Sequence, residues 1–147
     1  MAFFGSKKYD ESSEAKAHRV SLAESLTFEL VPLKSLVGAI DALPAGAEVS
    51  VTCSPTKGIE ETQRVTAGLC EQGFTAIPHI SARMVRDRTH TVELAAWCRE
   101  LGLSKIFIVG GDAEEPGEYP GAVEFMADFL TTNHGVKTIG VTAYPDG

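Results

Sequence analysis

Cysteine is scarce in this sequence and never closely spaced. The 147 residues include three cysteines, Cys53, Cys70 and Cys98, and no C-x-x-C pair. An odd number of widely spaced cysteines predicts neither a disulfide framework nor a zinc site. The four histidines also lack the i, i+4 spacing of a metal-binding helix. We therefore expect a reducing compartment and no bound metal.

Long apolar runs and basic clusters are also missing. No apolar run approaches the length of a bilayer crossing, and Met1–Lys8 lacks the apolar centre of a signal peptide. Lys and Arg number 13 against 20 Asp and Glu, which gives a net charge of −7. Such a surface repels a phosphate backbone. These absences predict a soluble cytoplasmic protein that binds neither membranes nor nucleic acid.

What the sequence does contain is a regular alternation of two patterns. Residues 1–25 are polar and predict a tail or a loosely docked helix. From Thr27 onward, short β-rich apolar runs alternate with segments of helical period, which is typical of βαβ units on a parallel sheet. The predicted strands are Thr27–Leu30, Glu48–Thr52, Thr75–Pro78, Lys105–Val109 and Thr138–Thr142.

Four amphipathic helices are predicted between these strands. Leu33, Leu36, Val37 and Ile40 mark one face of the first helix, and the others cover Ile59–Cys70, Thr91–Leu101 and Ala122–Leu130. Five strands and four helices fit either an open doubly wound sheet or the first part of a (β/α)8 barrel. The helical period does not choose between the two. A whole barrel takes about 250 residues, so this chain would supply a little over half of one.

Polar side chains lie at the carboxyl ends of the predicted strands, where parallel α/β folds bind their ligands. In chain order these residues are Glu29, Thr52, His79, Asp112 and Tyr144. One acid, one hydroxyl, one imidazole, a second acid and a phenol are therefore expected to meet at one edge of the sheet.

The segments around these residues resemble the methylenetetrahydrofolate reductase family. The resemblance is carried by Thr27–Pro32 in the first strand, by Val49–Thr52 in the second, and then by Pro78–His79, Gly111–Asp112 and Ala143–Pro145. These segments follow the family's order at similar spacing. The resemblance implies that residues 26–147 form the N-terminal part of the family's barrel, a partial (β/α)8 TIM barrel, with residues 1–25 outside it.

The resemblance also implies an activity. Members of the family use FAD to reduce 5,10-methylenetetrahydrofolate, a reduced folate, to 5-methyltetrahydrofolate in one-carbon metabolism and methionine biosynthesis, and NAD(P)H is a candidate electron donor. Glu29 matches the acid that helps to open the five-membered folate ring, and Asp112 matches the carboxylate beside the flavin and the pterin. Burial of Glu29 among Phe28, Leu30 and Val31 would favour the neutral carboxyl that a general acid requires.

The cofactor-binding residues that the resemblance implies are Thr52, His79, Gly110, Gly111, Asp112, Ala143 and Tyr144. The two glycines would let the backbone approach the flavin ring, although the family more often has arginine at the position of Gly110. Structural alternatives stay open. They are a salt bridge or helix-dipole contact for Glu29, a structural hydrogen bond for His79, and a plain strand-to-helix turn for residues 110–112.

Two further features of the same edge have a functional and a structural interpretation. Arg83, Arg86 and Arg88 could grip a pyrophosphate or the glutamate tail of folate, but a solvated loop tied by Asp87 salt bridges is favoured. Cys53 could be a nucleophile, but no base is adjacent in sequence, and burial as a small apolar side chain is favoured.

Two other functions stay open. The sequence stops at Tyr144–Gly147, ahead of the strands on which the family carries much of its FAD phosphate and ribose site. A fragment of a longer barrel is the favoured explanation. A non-catalytic, subunit-type half-barrel that binds flavin or folate would instead pair its exposed edge with a second copy or a complementary subunit. A flavin-free, folate-dependent methyl-transfer protein, with Glu29 at the pterin, is the third function.

Overall fold

Helices and strands alternate along the described part of the chain. The structure, a computed structural model, describes residues 12–33 and 36–143. In chain order the elements are α1 (Ser13–Glu24), β1 (Thr27–Leu30), α2 (Leu36–Asp41), β2 (Glu48–Val51), α3 (Gly58–Glu71), β3 (Thr75–Ser81), a 3-10 turn (Ala82–Met84), α4 (Arg88–Glu100), β4 (Lys105–Val109), α5 (Ala122–Phe129) and β5 (Thr138–Val141). The predicted α/β fold, with helices between successive strands, is confirmed.

The strands form a parallel sheet in the order β1-β2-β3-β4-β5. The register pairs Phe28 with Val49, Val49 with Ala76, His79 with Phe107, and Phe107 with Gly140. A doubly wound sheet reverses its strand order at a switch point, whereas a barrel adds each strand beside the previous one. The unreversed order is therefore that of a partial barrel. Within the described residues β1 and β5 do not pair, so the barrel is not closed.

Side chains from alternate strands approach one another on one face of the sheet. Glu29 of β1 lies 3.9 Å from His79 of β3, measured between Oε2 and Nε2. Glu48 of β2 forms an ion pair with Lys105 of β4. Neighbouring strands are about 4.8 Å apart, so backbones two strands apart in a flat sheet are separated by about twice that distance. Contacts between alternate strands also occur inside β/α barrels, and we call this face of the barrel-like sheet the concave face.

The opposite face of β1 and β2 is buried by α3. Leu30, Val49 and Val51 are at most 7% exposed, and they pack with Val65 and Leu69 of the helix. Because side chains alternate along a strand, burial of these residues turns the intervening ones toward the concave face. Full burial of one such aliphatic side chain stabilises the fold by about 1.5–3 kcal/mol.

The second half of the sheet is covered in the same way by α4 and α5. Ile80, Ile106 and Ile108 pack with Leu94 of α4 and with Phe125 of α5, and all five are at most 1% exposed. The apolar core thus lies between the sheet and its helices. The alternate residues of β3 and β4 face the concave side.

Most predicted boundaries are close to the observed ones. The bounds of β1 and β4 are as predicted, whereas β3 continues to Ser81 instead of ending at Pro78. Pro78 is the last residue of β3 paired with β2, and pairing with β4 is recorded from His79 onward. Proline has no N–H to donate to a neighbouring strand. Residue 78 tolerates this because pairing with β2 ends there, and β3 then continues beside β4.

The first two helices contribute little to the core. None of the residues of α1 is buried. In α2 the predicted apolar face is only partly correct, because Leu36 and Ile40 pack against the core whereas Val37 is 71% exposed. Leu33 precedes the helix and is exposed too. No helix in the described ranges is both long and apolar enough to cross a bilayer.

Candidate functional site

Glu29 lies on the concave face near the carboxyl end of β1. Its neighbour Leu30 points into the helix-side core, and Phe28 lines a cavity beside α1. The alternation of the strand therefore directs Glu29 away from both. Its side chain is 59% exposed, so the predicted burial of this carboxyl among apolar neighbours is wrong. The structure instead leaves the carboxyl accessible to a molecule on the concave face.

His79 is the described side chain that meets this carboxyl. It lies inside β3 and is only 14% exposed, with Nε2 3.9 Å from Glu29 Oε2. Burial lowers the pKa of His79, and the negative charge of Glu29 opposes the shift. The imidazole is therefore neutral near pH 7, and it can donate one hydrogen bond and accept another.

An aromatic pair forms the wall beside the imidazole. The rings of His79 and Phe107 have centroids 4.9 Å apart and planes inclined by 33°. Gly140 of β5 makes room for Phe107, because a Cβ at residue 140 would lie 2.4 Å from the ring. The concave face thus has an aromatic surface next to a carboxyl, an arrangement suited to a flat, polar ring.

Two buried hydroxyl groups have no hydrogen-bond partner in the described part of the chain. They belong to Thr52, directly after β2, and to Ser81, the last residue of β3. Ser81 is 1% exposed. A buried hydroxyl without a partner costs about 1–3 kcal/mol, so both atoms have unused hydrogen-bonding capacity. Thr52 was predicted as a site residue, whereas Ser81 was missed.

The glycine turn after β4 packs on Ser81. Gly111 has a φ of +90°, and a Cβ there would lie 1.8 Å from Ser81 Oγ. Gly110 has open space around it, and its carbonyl accepts a hydrogen bond from Arg83 N at 3.0 Å. Asp112 follows with an exposed side chain. Glycine is thus required at 111, where the backbone closely approaches a neighbour.

The predicted residues at the end of β5 are only partly visible. Ala143 lies two residues beyond the strand and is exposed. Tyr144 lies outside the described residues.

Glu29, Thr52, His79 and the turn from Gly110 to Asp112 all lie toward the carboxyl ends of their strands. Because the strands are parallel, these residues share one edge of the sheet.

The three arginines after β3 make protein contacts. Arg86 faces Glu60 and Glu93 at 3.5 and 3.4 Å, whereas the guanidinium of Arg88 lies 3.4 Å from Asp128. Among the described residues no salt bridge of Asp87 is found, contrary to the prediction. Asp87 instead caps α4, where its side chain accepts from the backbone N–H of His90 at 2.8 Å. A short polar side chain directly before a helix is the usual N-cap.

Cys53 matches its structural interpretation. The residue is partly buried, and its Sγ lies 3.8 Å from Met84 Sδ. Burial raises the pKa of the Cys53 thiol, which disfavours the thiolate that a nucleophile needs. In residues 12–33 and 36–143, no three His, Cys, Asp or Glu side chains are grouped so as to hold a metal ion.

A cavity of about 470 Å³ lies at the opposite edge of the sheet. Its lining residues are Val20, Ala23, Glu24, Phe28, Pro44, Ala45, Gly46 and Ala47. Residues 44–47 precede β2, so this cavity is at the amino ends of the strands. Most of the lining is apolar. The carboxyl edge is the better candidate site, because several polar groups converge there and ligands of parallel sheets bind at that edge.

The fold and the site together define a class. The chain is a parallel β/α protein with a barrel-like sheet, and it carries polar side chains and the His79–Phe107 ring pair toward the carboxyl ends of its strands. No protein-family model matches the chain.

Proposed function

We propose that this chain is the FAD-binding front part of a methylenetetrahydrofolate reductase-like oxidoreductase of the cytoplasm. Its reaction is the reduction of 5,10-methylenetetrahydrofolate to 5-methyltetrahydrofolate, with NAD(P)H as the candidate electron donor. One observation carries the proposal. Glu29 of β1 and His79 of β3 meet on a concave face, at the edge where parallel sheets bind ligands.

Two features of the described residues support a flavin ring as the ligand. His79 and Phe107 offer an aromatic surface, and Thr52 and Ser81 have unused hydroxyl groups. Gly111 keeps the edge free of a further side chain. Arg83, Arg86 and Arg88 are all engaged in protein contacts, so the support concerns the ring rather than the pyrophosphate. When bound, FAD supplies the hydride chemistry.

The protein residues have separate tasks in this proposal. The Glu29 carboxyl donates a proton to the folate nitrogen that leaves when the five-membered ring opens. Its exposure on the concave face gives the substrate access to the carboxyl, which takes up a proton from solvent before each turnover. The imidazole of His79, 3.9 Å away, is the neighbouring group to which the carboxyl can bond when it turns toward β3. Asp112 lies beside both the flavin and the pterin in this proposal, where its carboxylate orients the folate and modulates the flavin.

A paired comparison of carboxyl variants tests this function. The purified chain is expected to bind FAD and to show the visible absorption of oxidised flavin. Glu29→Gln should keep FAD binding and lower folate reduction by about 10²–10⁴-fold, because a positioned acid contributes that much. Glu100→Gln, at the exposed end of α4, is the matched control and should change neither. Absence of FAD binding, or full activity in Glu29→Gln, contradicts the proposal.

The open sheet supports a second candidate, a non-catalytic half-barrel that binds flavin or folate and pairs with another subunit. β1 and β5 are the two outer strands of the described sheet, and Val141 of β5 is 50% exposed. Such edges favour pairing with another chain. FAD binding without folate reduction, together with the mass of a homo-oligomer or of a complex with a complementary subunit, would favour this candidate. Folate binding without FAD would favour a methyl-transfer protein.

A further inference from the structure

The connection from β4 to α5 is an irregular loop, residues 110–121, that begins with Gly110, Gly111 and Asp112. Its length is close to the roughly 12–15 residues beyond which loops without regular structure become uncommon in compact domains. Asp112 has an exposed side chain, so its position depends on how the loop backbone is held. The contacts of that backbone identify the residue that holds it.

The side chain of Arg83 bonds to this loop at three places. Its Nε donates to the carbonyl of Ala113 at 2.8 Å and its Nη2 to that of Glu114 at 3.1 Å. Nη1 makes a longer contact of 3.4 Å with the carbonyl of Pro120, just before α5. Arg86 and Arg88 face carboxylates, whereas these contacts of Arg83 are all with backbone carbonyls.

The backbone of Arg83 holds the same loop. Its N–H donates to the carbonyl of Gly110 at 3.0 Å, and its carbonyl accepts from the N–H of Gly117 at 2.9 Å. The backbone N–H of Glu118 donates to the carbonyl of Arg86 at 3.0 Å. At Gly117 a Cβ would lie 2.1 Å from the Val85 carbonyl, so the loop lies directly against the segment after β3. The guanidinium of Arg83 thus adds side-chain hydrogen bonds to a loop that already bonds to the backbone of residues 83–86.

We propose that Arg83 is a positioning residue, whose guanidinium fixes the 110–121 loop and thereby places Asp112 at the ligand. A planar guanidinium presents several donors in fixed directions and can bond to separate carbonyls at once, whereas a lysine ammonium cannot reproduce that fork. The structural part of the proposal concerns this chain alone. The part that concerns the ligand rests on the proposed function.

Variants of Arg83 test the structural part by amide hydrogen exchange. In Arg83→Gln and Arg83→Lys, the amides of Gly117 and Glu118 should exchange roughly tenfold faster or more, because their loop opens locally. Arg64→Gln is the control, since Arg64 lies on α3 and bonds to Glu61. If Arg83→Gln does not fold, Arg83→Lys provides the same comparison. Unchanged exchange in the folded variants overturns the proposal.

A double-mutant cycle with FAD as the probe tests the part that involves Asp112. Arg83→Lys should weaken FAD binding by roughly tenfold and alter the absorption spectrum of the bound flavin. In the Asp112→Asn background the same substitution should have little further effect, because both changes remove one interaction. Fully additive effects overturn the positioning role. If the parent chain binds no FAD, the proposed function fails, and hydrogen exchange alone then decides whether Arg83 holds the loop.

Discussion

Ser81 and Gly111 are in close contact because residue 111 has no side chain. A Cβ on Gly111 would lie 1.8 Å from Ser81 Oγ and 2.9 Å from Ser81 Cβ. Its φ of +90° is also unfavourable for residues with a side chain. The contact joins the end of β3 to the turn that carries Asp112. Two separate effects, a collision and a backbone preference, therefore require glycine at this position.

Gly111→Ala is expected to destabilise the protein more than a glycine substitution without the collision. Gly102→Ala is the matched control, because Gly102 has a φ of +67° but nothing within 4 Å of its Cβ position. We expect Gly102→Ala to cost about 1–2 kcal/mol for the backbone alone. Gly111→Ala should cost roughly 1–3 kcal/mol more from overpacking. Urea unfolding measures both, and equal losses would show that Ser81 does not restrict residue 111.

The start of α4 depends on a buried histidine. His90 is 5% exposed, and its Nδ1 accepts a hydrogen bond from the backbone N–H of Arg86 at 3.2 Å. Burial lowers the pKa of His90, with a further contribution from the charge of Arg86, whereas Glu93, Glu60 and Asp87 oppose the shift. A protonated Nδ1 could not accept this bond. The element is therefore built around the neutral imidazole.

The free energy of unfolding should decrease in mild acid for this reason. Folding lowers the pKa of His90 below its ordinary 6.5, so the unfolded chain binds more protons as pH falls. The stabilisation is complete above about pH 6.5 and is lost as pH falls through the lowered value. His90→Asn keeps an acceptor near Nδ1 without the titration. Urea midpoints across this range should depend less on pH in the variant, and His79 accounts for part of the remaining slope. An unchanged slope would contradict this account of α4.

Local patterns in the sequence predicted the strands better than the contacts between them. The bounds of β1 and β4 follow from short apolar runs, and the polar residues at the strand ends led to the carboxyl edge as the candidate site. The exposure of Glu29 depends on which face of β1 the helices cover, which its neighbours in sequence do not reveal. Ser81 was missed because β3 was expected to end at Pro78. If the strand is continued beyond Pro78, the alternation of side chains puts Ser81 on the same face as His79.

Long-range partners were the least predictable feature. The sequence placed Arg83 on the correct rim, but its contacts are carbonyls of residues 113, 114 and 120 in another connection. A backbone carbonyl has the same chemistry at every position, so no residue type marks it as a partner. Asp87 was expected to form ion pairs with nearby arginines, and the competing preference for a helix N-cap prevailed.

The molecule as a whole is a barrel-like sheet covered by helices on one side. The contacts from Glu29 to His79 and from Glu48 to Lys105 bridge alternate strands across the concave face. Most of the apolar burial lies on the opposite face, with α3, α4 and α5. Stability and the candidate site are therefore assigned to different faces of one sheet.

Removal of residues 1–25 tests how the first segment relates to this body. None of the residues of α1 is buried, so the truncation should change the free energy of unfolding by less than about 1 kcal/mol. FAD binding should be unchanged, because α1 borders the cavity at the amino edge of the sheet. Urea unfolding and a flavin titration check both expectations. Loss of cooperative unfolding would show instead that α1 belongs to the body.

The proposed function requires that a flavin ring bind at the carboxyl ends of the strands rather than at their amino ends. A titration with FAD, followed by two-dimensional amide NMR spectra, distinguishes these two locations. We expect saturable shifts at the amides of Thr52, His79 and residues 110–112 and no shifts at Ala45–Ala47. Shifts centred on Ala45–Ala47, or no saturable shifts at all, would contradict the proposed function.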